Sequence, residues 1–142
     1  MIKSVFSCKA TLQALAEGFF LLLFGGVTYY GIEVLFRGYS HWSMGLLGAI
    51  CFLGIFSINR RFRPLPTVAK ALIGACMITA LELLAGCILN LWLGLRIWDY
   101  SKMPLQLFGQ ICLPFSLVWF LLCFPAVFLC RIIEKRVFLE DA

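Results

Sequence analysis

The sequence predicts an all-α integral membrane protein with four transmembrane helices and both termini in the cytoplasm. Three observations carry this: an apolar composition, four long apolar runs, and basic residues concentrated on one side of those runs. Of the 142 residues, 63% are hydrophobic and 13% charged, where a soluble domain has about 45–50% and about 25%. A small soluble fold exposes much of its surface and needs charge to cover it. The balance therefore speaks against a soluble enzyme, a disordered chain and a nucleic-acid-binding domain. The net charge is +5, but the Lys and Arg sit in short flanks between apolar runs. No nucleic-acid partner is expected, because a spread basic patch has no soluble surface to sit on.

The first apolar run covers about 18–36, the second about 42–58, the third about 71–95 and the fourth about 107–130. They form a single transmembrane domain over 1–142. A helix needs about 20 residues to cross the hydrocarbon core. The second run is slightly short, whereas the third and fourth are long enough to tilt. In lipid the backbone must satisfy itself, which makes these runs helices. The first is a retained helix rather than a cleaved leader, because it is long, contains Glu33 and lacks a small-x-small cleavage site. Before it, Val5, Phe6, Leu12 and Leu15 alternate with Lys3, Lys9 and Gln13 in the manner of a short interfacial helix.

Orientation follows from the basic residues. Lys3, Lys9, Arg60, Arg61, Arg63, Lys70, Arg131, Lys135 and Arg136 fall on one side, and Arg37, Arg96 and Lys102 on the other. That nine-to-three bias places the first side in the cytoplasm. Tyr29, Tyr30, Tyr39, Trp42, Trp92, Trp98 and Tyr100 gather toward the opposite interface, where amphipathic rings are favoured. The cytoplasmic loop Asn59–Thr67 carries two prolines and reads as an extended or turn-like, solvated, lipid-facing anchor whose arginines meet anionic headgroups, with docking of a partner as the alternative.

Seven cysteines lie mostly inside apolar runs with no C-x-x-C spacing, which reads as small buried hydrophobes rather than disulfides or a zinc site. No set of His, Cys and carboxylates has metal-ligand spacing, so neither a metal nor a cofactor is expected. There is no P-loop pattern, so coupling to ATP would need another subunit.

Ionisable groups within apolar runs are functional candidates by default. Glu82 is the deepest. Steps of four from it reach Gly86, Asn90 and Gly94, and Thr79 lies three residues before, so all share one helical stripe. Small and polar residues on one stripe face protein or a wet cavity. Glu82 is thus a candidate proton carrier or cation ligand; its structural alternative is a packing lock. Glu33 lies near the end of the first run with Arg37 one turn later, an ion pair or a substrate-binding pair. His41, the only histidine, falls in a polar turn. Arg96, Trp98, Asp99, Tyr100 and Ser101 form the second outer loop. Asp99 there invites an Asx turn and is free to pair with Arg96 or across the bundle. The fourth run opens with Gln106, Gly109 and Gln110, and Pro114 and Pro125 are expected to kink it.

The second half resembles a known family. Glu82, then Trp98-Asp99-Tyr100-Ser101, Pro104, Gly109-Gln110-Ile111-Cys112-Leu113, Ser116-Leu117 and Trp119 are similar to the signature of the ABC-transporter type IV permease-like (CmpB) family. Glu33 and Arg37-Gly38 correspond to its first-helix Glu and following RG. Gln106 and Gln110 depart from the Asn and Arg of the pattern, and Tyr39 to Gly45 lack its Gly/Pro-rich stretch. The resemblance implies a small bacterial inner-membrane protein with a transport-related role.

The expected function is passage of a small polar or ionic solute through an intramembrane site of Glu33, Arg37, Glu82, Asn90, Arg96, Asp99 and Gln110. His41, Trp98, Tyr100 and Ser101 are secondary candidates. Four helices enclose little room, so a homo-oligomer or a partner subunit is expected within the bilayer. Two alternatives stand beside this. One is a membrane-embedded or lipid-handling enzyme using Glu33, His41 and Asp99, with Ser40, Ser43 or Ser101 as nucleophile. The other is a non-catalytic subunit of a larger complex.

Overall fold

The computed structural model describes residues 2–139, with side chains from residue 10 onward. Four helices, α1 (Ile2–Arg37), α2 (Trp42–Arg61), α3 (Thr67–Gly86) and α4 (Leu113–Arg136), follow in chain order. A π turn, Cys87–Trp92, extends α3, and two short strands, β1 (Gln106–Leu107) and β2 (Ile111–Cys112), precede α4. All four helices contain segments long and apolar enough to cross a membrane. The chain is therefore a multi-pass, four-helix membrane protein. Large exposed side chains such as Leu35, Phe36, Phe19, Leu121 and Phe128 are what hydrocarbon, not water, accommodates.

Several boundaries differ from those the apolar runs predict. The chain enters its first span without a break, because α1 is one continuous helix from Ile2, so no separate interfacial helix precedes it. The side chains of Lys3, Val5, Phe6 and Lys9 lie outside the described residues. The second span is not short: α2 runs 20 residues, to Arg61. The third leaves the α-helix at Gly86, its π turn ends at Trp92, and Gly94 follows at φ +68°. The fourth starts at Leu113, six residues late, because 106–112 fold into an antiparallel hairpin pairing Gln106 with Cys112 and Leu107 with Ile111. Pro114 consequently occupies the first turn of α4, where no amide donor is missed, and only Pro125 lies inside the helix.

The chain divides into two compact units within α2, between Leu53 and Gly54. In the first, α1 and the start of α2 run antiparallel about a glycine contact. A Cβ on Gly26 would meet the Gly45 carbonyl oxygen at 2.9 Å, and one on Gly48 would collide with the Tyr29 ring. Small residues of this kind let membrane helices approach closely. Phe24 and Phe52 extend the contact at 5.3 Å between ring centroids. Gly38, at φ +79°, ends α1, its amide returning to the Val34 carbonyl.

In the second unit α3 packs chiefly on α4. Ala71, Cys123, Val127 and Cys130 are wholly buried there. Gly74 lies against Cys123 and Ile55, and Thr79 donates to Ser116 across the helices at 3.1 Å. None of the described cysteines forms a disulfide: Cys51, Cys112, Cys123 and Cys130 are buried, Cys87 is half-buried and Cys76 is exposed.

Candidate functional site

Glu82 sits about four-fifths of the way along α3 with 3% of its surface exposed. Its Oε1 accepts a hydrogen bond from the Tyr100 hydroxyl at 3.0 Å. Its Oε2 accepts one from the Trp119 indole N–H, also at 3.0 Å. Both donors are neutral, and no cation pairs with Glu82 among the described residues. A carboxyl buried in this way is satisfied as a hydrogen-bond acceptor but not balanced as a charge. Such a group can take a proton or a cation without first breaking an ion pair.

Its two partners arrive from different elements. Trp119 projects from the second turn of α4, where the helix pairing sealed by Thr79 and Ser116 holds it. Tyr100 comes from the loop that joins the π turn to β1. Its amide donates to the Gly109 carbonyl at 2.7 Å, and its ring stacks on Phe115 at 4.7 Å. Gly109, at φ +68°, allows the hairpin to turn there, and Gln106 Oε1 accepts its amide. Asp99 accepts the Ser101 N–H at 2.8 Å, the expected Asx turn. That backbone hydrogen bond, helped by the Ser101 side chain, holds the exposed Asp99 carboxyl below its usual range, so it is charged at neutral pH.

Asn90 ties this loop to the end of the third span. Its Nδ2 donates to the Trp98 carbonyl at 3.1 Å and to Gln110 Oε1 at 2.8 Å. Its Oδ1 accepts the Ile97 amide at 2.7 Å. The Trp98 indole donates to the Gln110 carbonyl at 2.9 Å, and Gln110 Nε2 donates to the Phe108 carbonyl. Gly86 admits the Gln110 side chain, since a Cβ would approach its Cβ to 2.8 Å. The stripe of Glu82, Gly86 and Asn90 therefore faces protein along its length. Asn90→Ala would strand the Ile97 amide and the Trp98 carbonyl. The expected loss is about 2–3 kcal/mol, read by thermal unfolding in detergent, with protease sensitivity appearing in 93–112.

Glu33 and Arg37 lie in the first unit. Arg37 Nη1 reaches Glu33 Oε1 at 2.8 Å, and the Ser40 hydroxyl donates to the other carboxylate oxygen. The Arg37 guanidinium also lies over the Tyr39 ring at 5.1 Å. His41 is held against Ser43. It precedes α2, its Nδ1 accepting the Ser43 amide at 3.3 Å and lying 2.7 Å from the Ser43 hydroxyl, as an N-cap does. Of the remaining site residues, Arg96 and Asp99 are exposed on the loop, with Arg96 in the left-handed region at φ 48°. Trp98 is 7% exposed and turned inward, with its indole N–H on the Gln110 carbonyl.

A family model described as "Putative ABC-transporter type IV" matches residues 9–140. The chain belongs to this family. The match spans all four helices, and the family name is that of a transport-related membrane protein. No curated protein and no solved structure matches the chain significantly. Within the chain, the residues of the signature assemble around one carboxylate. Tyr100 and Trp119 bond Glu82, Asp99 and Gly109 shape the loop, Ser116 joins α4 to α3, and Cys112 is buried within β2 of the hairpin.

Residue-type reasoning missed Trp119, whose apolar run reads as lipid-facing. A period of 3.6 residues counted from Ser116 puts the two on neighbouring faces, and that was the available signal. It also missed a polar cluster at the opposite end of the second unit, where Lys70 and Glu134 are 3% and 1% exposed. Lys70 Nζ donates to Asn59 Oδ1 at 3.0 Å and to the Asn59 and Arg63 carbonyls. Arg63 pairs with Glu134 at 2.7 Å. Arg63 is thus a structural tie between the loop and α4.

Proposed function

We propose that the protein carries a small polar or ionic solute across a bacterial inner membrane, with Glu82 as the ionisable centre of its intramembrane site. The observation that carries this reading is the buried Glu82 carboxyl, held by two neutral donors and no cation. A residue kept only for packing would serve as well as Gln, without the ionisation cost of a carboxyl in the membrane.

In this reading Glu82 takes the proton or cation, and Tyr100 and Trp119 fix its carboxylate oxygens. Asn90 and Gln110 hold the loop that delivers Tyr100. Arg96 and Asp99 supply exposed charge at the loop surface, and the Glu33–Arg37 pair supplies charge at the end of the first span. The basic bias of the flanks supports cytoplasmic termini, which puts loop 93–112 on the outer side. A second copy or another subunit completes the pathway, since four helices alone enclose little space.

The test is flux into proteoliposomes holding the full chain, with proton-sensitive dye and with monovalent-cation tracers. Wild type is expected to conduct one of them, and Glu82→Gln none, with equal helix content by circular dichroism. Equal flux from both proteins would overturn the reading.

A further inference from the structure

The end of the second unit at which α2 stops and α3 begins carries six exposed basic side chains: Arg60, Arg61, Arg63, Arg131, Lys135 and Arg136. They come from three places in the chain, the last turn of α2, the following loop and the last turns of α4. Side-chain contacts bring those places together. Arg63 bonds Glu134 on α4, Asn59 on α2 bonds both Glu134 and Lys70, and Arg131 on α4 donates to Thr67 at the start of α3 at 3.0 Å.

Among the described residues the charge there is one-sided. Within this unit the described residues include one acid at this end, Glu134, which is buried and already accepts from Arg63 and Asn59. It balances Arg63 and leaves the other five exposed basic groups without an acid of their own among the described residues of this unit. The buried Lys70 adds a further positive charge beneath them. All of these residues sit at or beside the ends of segments long and apolar enough to cross a bilayer, and basic residues that flank such segments meet the headgroup region. Arginine's planar fork suits phosphate oxygens, which it can bond through two N–H groups at once.

We infer that this end is a binding surface for the phosphate groups of anionic phospholipids, formed jointly by α2, the 62–66 loop and α4. The sequence alone offered the loop as a lipid anchor. The structure adds the α4 residues and a buried network that fixes their spacing. The network also explains why two of the arginines can be held in place at a membrane surface: Glu134 and Thr67 orient Arg63 and Arg131 before any lipid arrives. Orientation of this kind lowers the entropy lost on binding.

The test uses the full chain reconstituted in vesicles of phosphatidylcholine and phosphatidylglycerol mixed in known proportion. The protein is then extracted gently, and native mass spectrometry reads the retained lipid. Wild type is expected to retain phosphatidylglycerol at about fivefold over the bulk ratio, decreasing with added salt. The triple variant Arg61→Gln, Lys135→Gln, Arg136→Gln leaves the Arg63–Glu134 and Arg131–Thr67 contacts intact. It is expected to return the ratio toward bulk, while Lys102→Gln, on the opposite loop, keeps the enrichment. A bulk ratio on wild type, or enrichment untouched by the triple variant, would overturn the proposal. So would phosphate adducts on protein in pure phosphatidylcholine vesicles with inorganic phosphate, if phosphatidylglycerol showed no preference. Capture of a soluble protein by the same residues with lipid at the bulk ratio would also overturn it.

Discussion

Glu82→Gln is expected to abolish solute flux while leaving the fold in place. Gln keeps the shape of Glu and retains one oxygen acceptor, so α3 can still pack. It cannot exchange a proton or balance a cation. One of the two bonds, from Tyr100 or from Trp119, would then face an amide NH2 that donates rather than accepts. The neighbouring variants grade the effect. Tyr100→Phe and Trp119→Phe each remove one hydrogen bond to the carboxyl, worth about 1.5 kcal/mol when the acceptor is charged. Each is expected to lower flux roughly tenfold. Tyr100→Phe retains the stack on Phe115, so its loss reports the hydroxyl alone. If Glu82→Gln unfolds the chain while both Phe variants conduct normally, Glu82 is a packing residue.

The second large effect is at the other end of the same unit. Glu134→Ala is expected to destabilise the protein by about 3–5 kcal/mol, because removing one partner of a buried ionic cluster leaves the others uncompensated. Glu134 is 1% exposed and accepts from Arg63 at 2.7 Å and Asn59 at 3.5 Å. It also acts through space on the buried Lys70. The double variant Lys70→Met, Glu134→Leu removes both buried charges and fills their volume. It is expected to recover most of the loss, a non-additivity that identifies coupling between the two sites. Thermal unfolding in detergent reads both. A loss under about 1 kcal/mol for Glu134→Ala would place the pair among weak surface contacts.

These two regions differ in how far the sequence discloses them. The four spans follow from hydropathy, because the bilayer forces an apolar run of this length into a helix. The Glu82–Gly86–Asn90 stripe follows from helical period, since polar and small residues at steps of four cannot all face lipid. The Asx turn at Asp99 follows from local chemistry. The hairpin at 106–112 does not. Leu107, Phe108 and Ile111 continue the apolar run of the fourth span, and the break is made by Gly109 at positive φ and by Gln110, which Asn90 draws back toward α3. That contact joins positions twenty residues apart, beyond the reach of any local pattern. Lys70 and Glu134 were hidden for a similar reason. Charges at the ends of spans read as flanks that set orientation, and nothing local reveals that two of them turn inward and meet partners far along the chain. Trp119 shows the same limit in a single residue: its ring suits lipid, and only α3 beside it reveals the use of its N–H.

The account rests on a bond between Trp119 and a titratable Glu82, and the indole N–H reports on it directly. Nitrogen–proton NMR of the full chain in detergent resolves four indole signals, one for each Trp, and Trp119→Phe assigns the one that matters. Titrating pH, and then the conducted cation, is expected to move the Trp119 signal in wild type and leave it fixed in Glu82→Gln. A Trp119 signal that is the same in both proteins and unmoved by either titration would contradict the account.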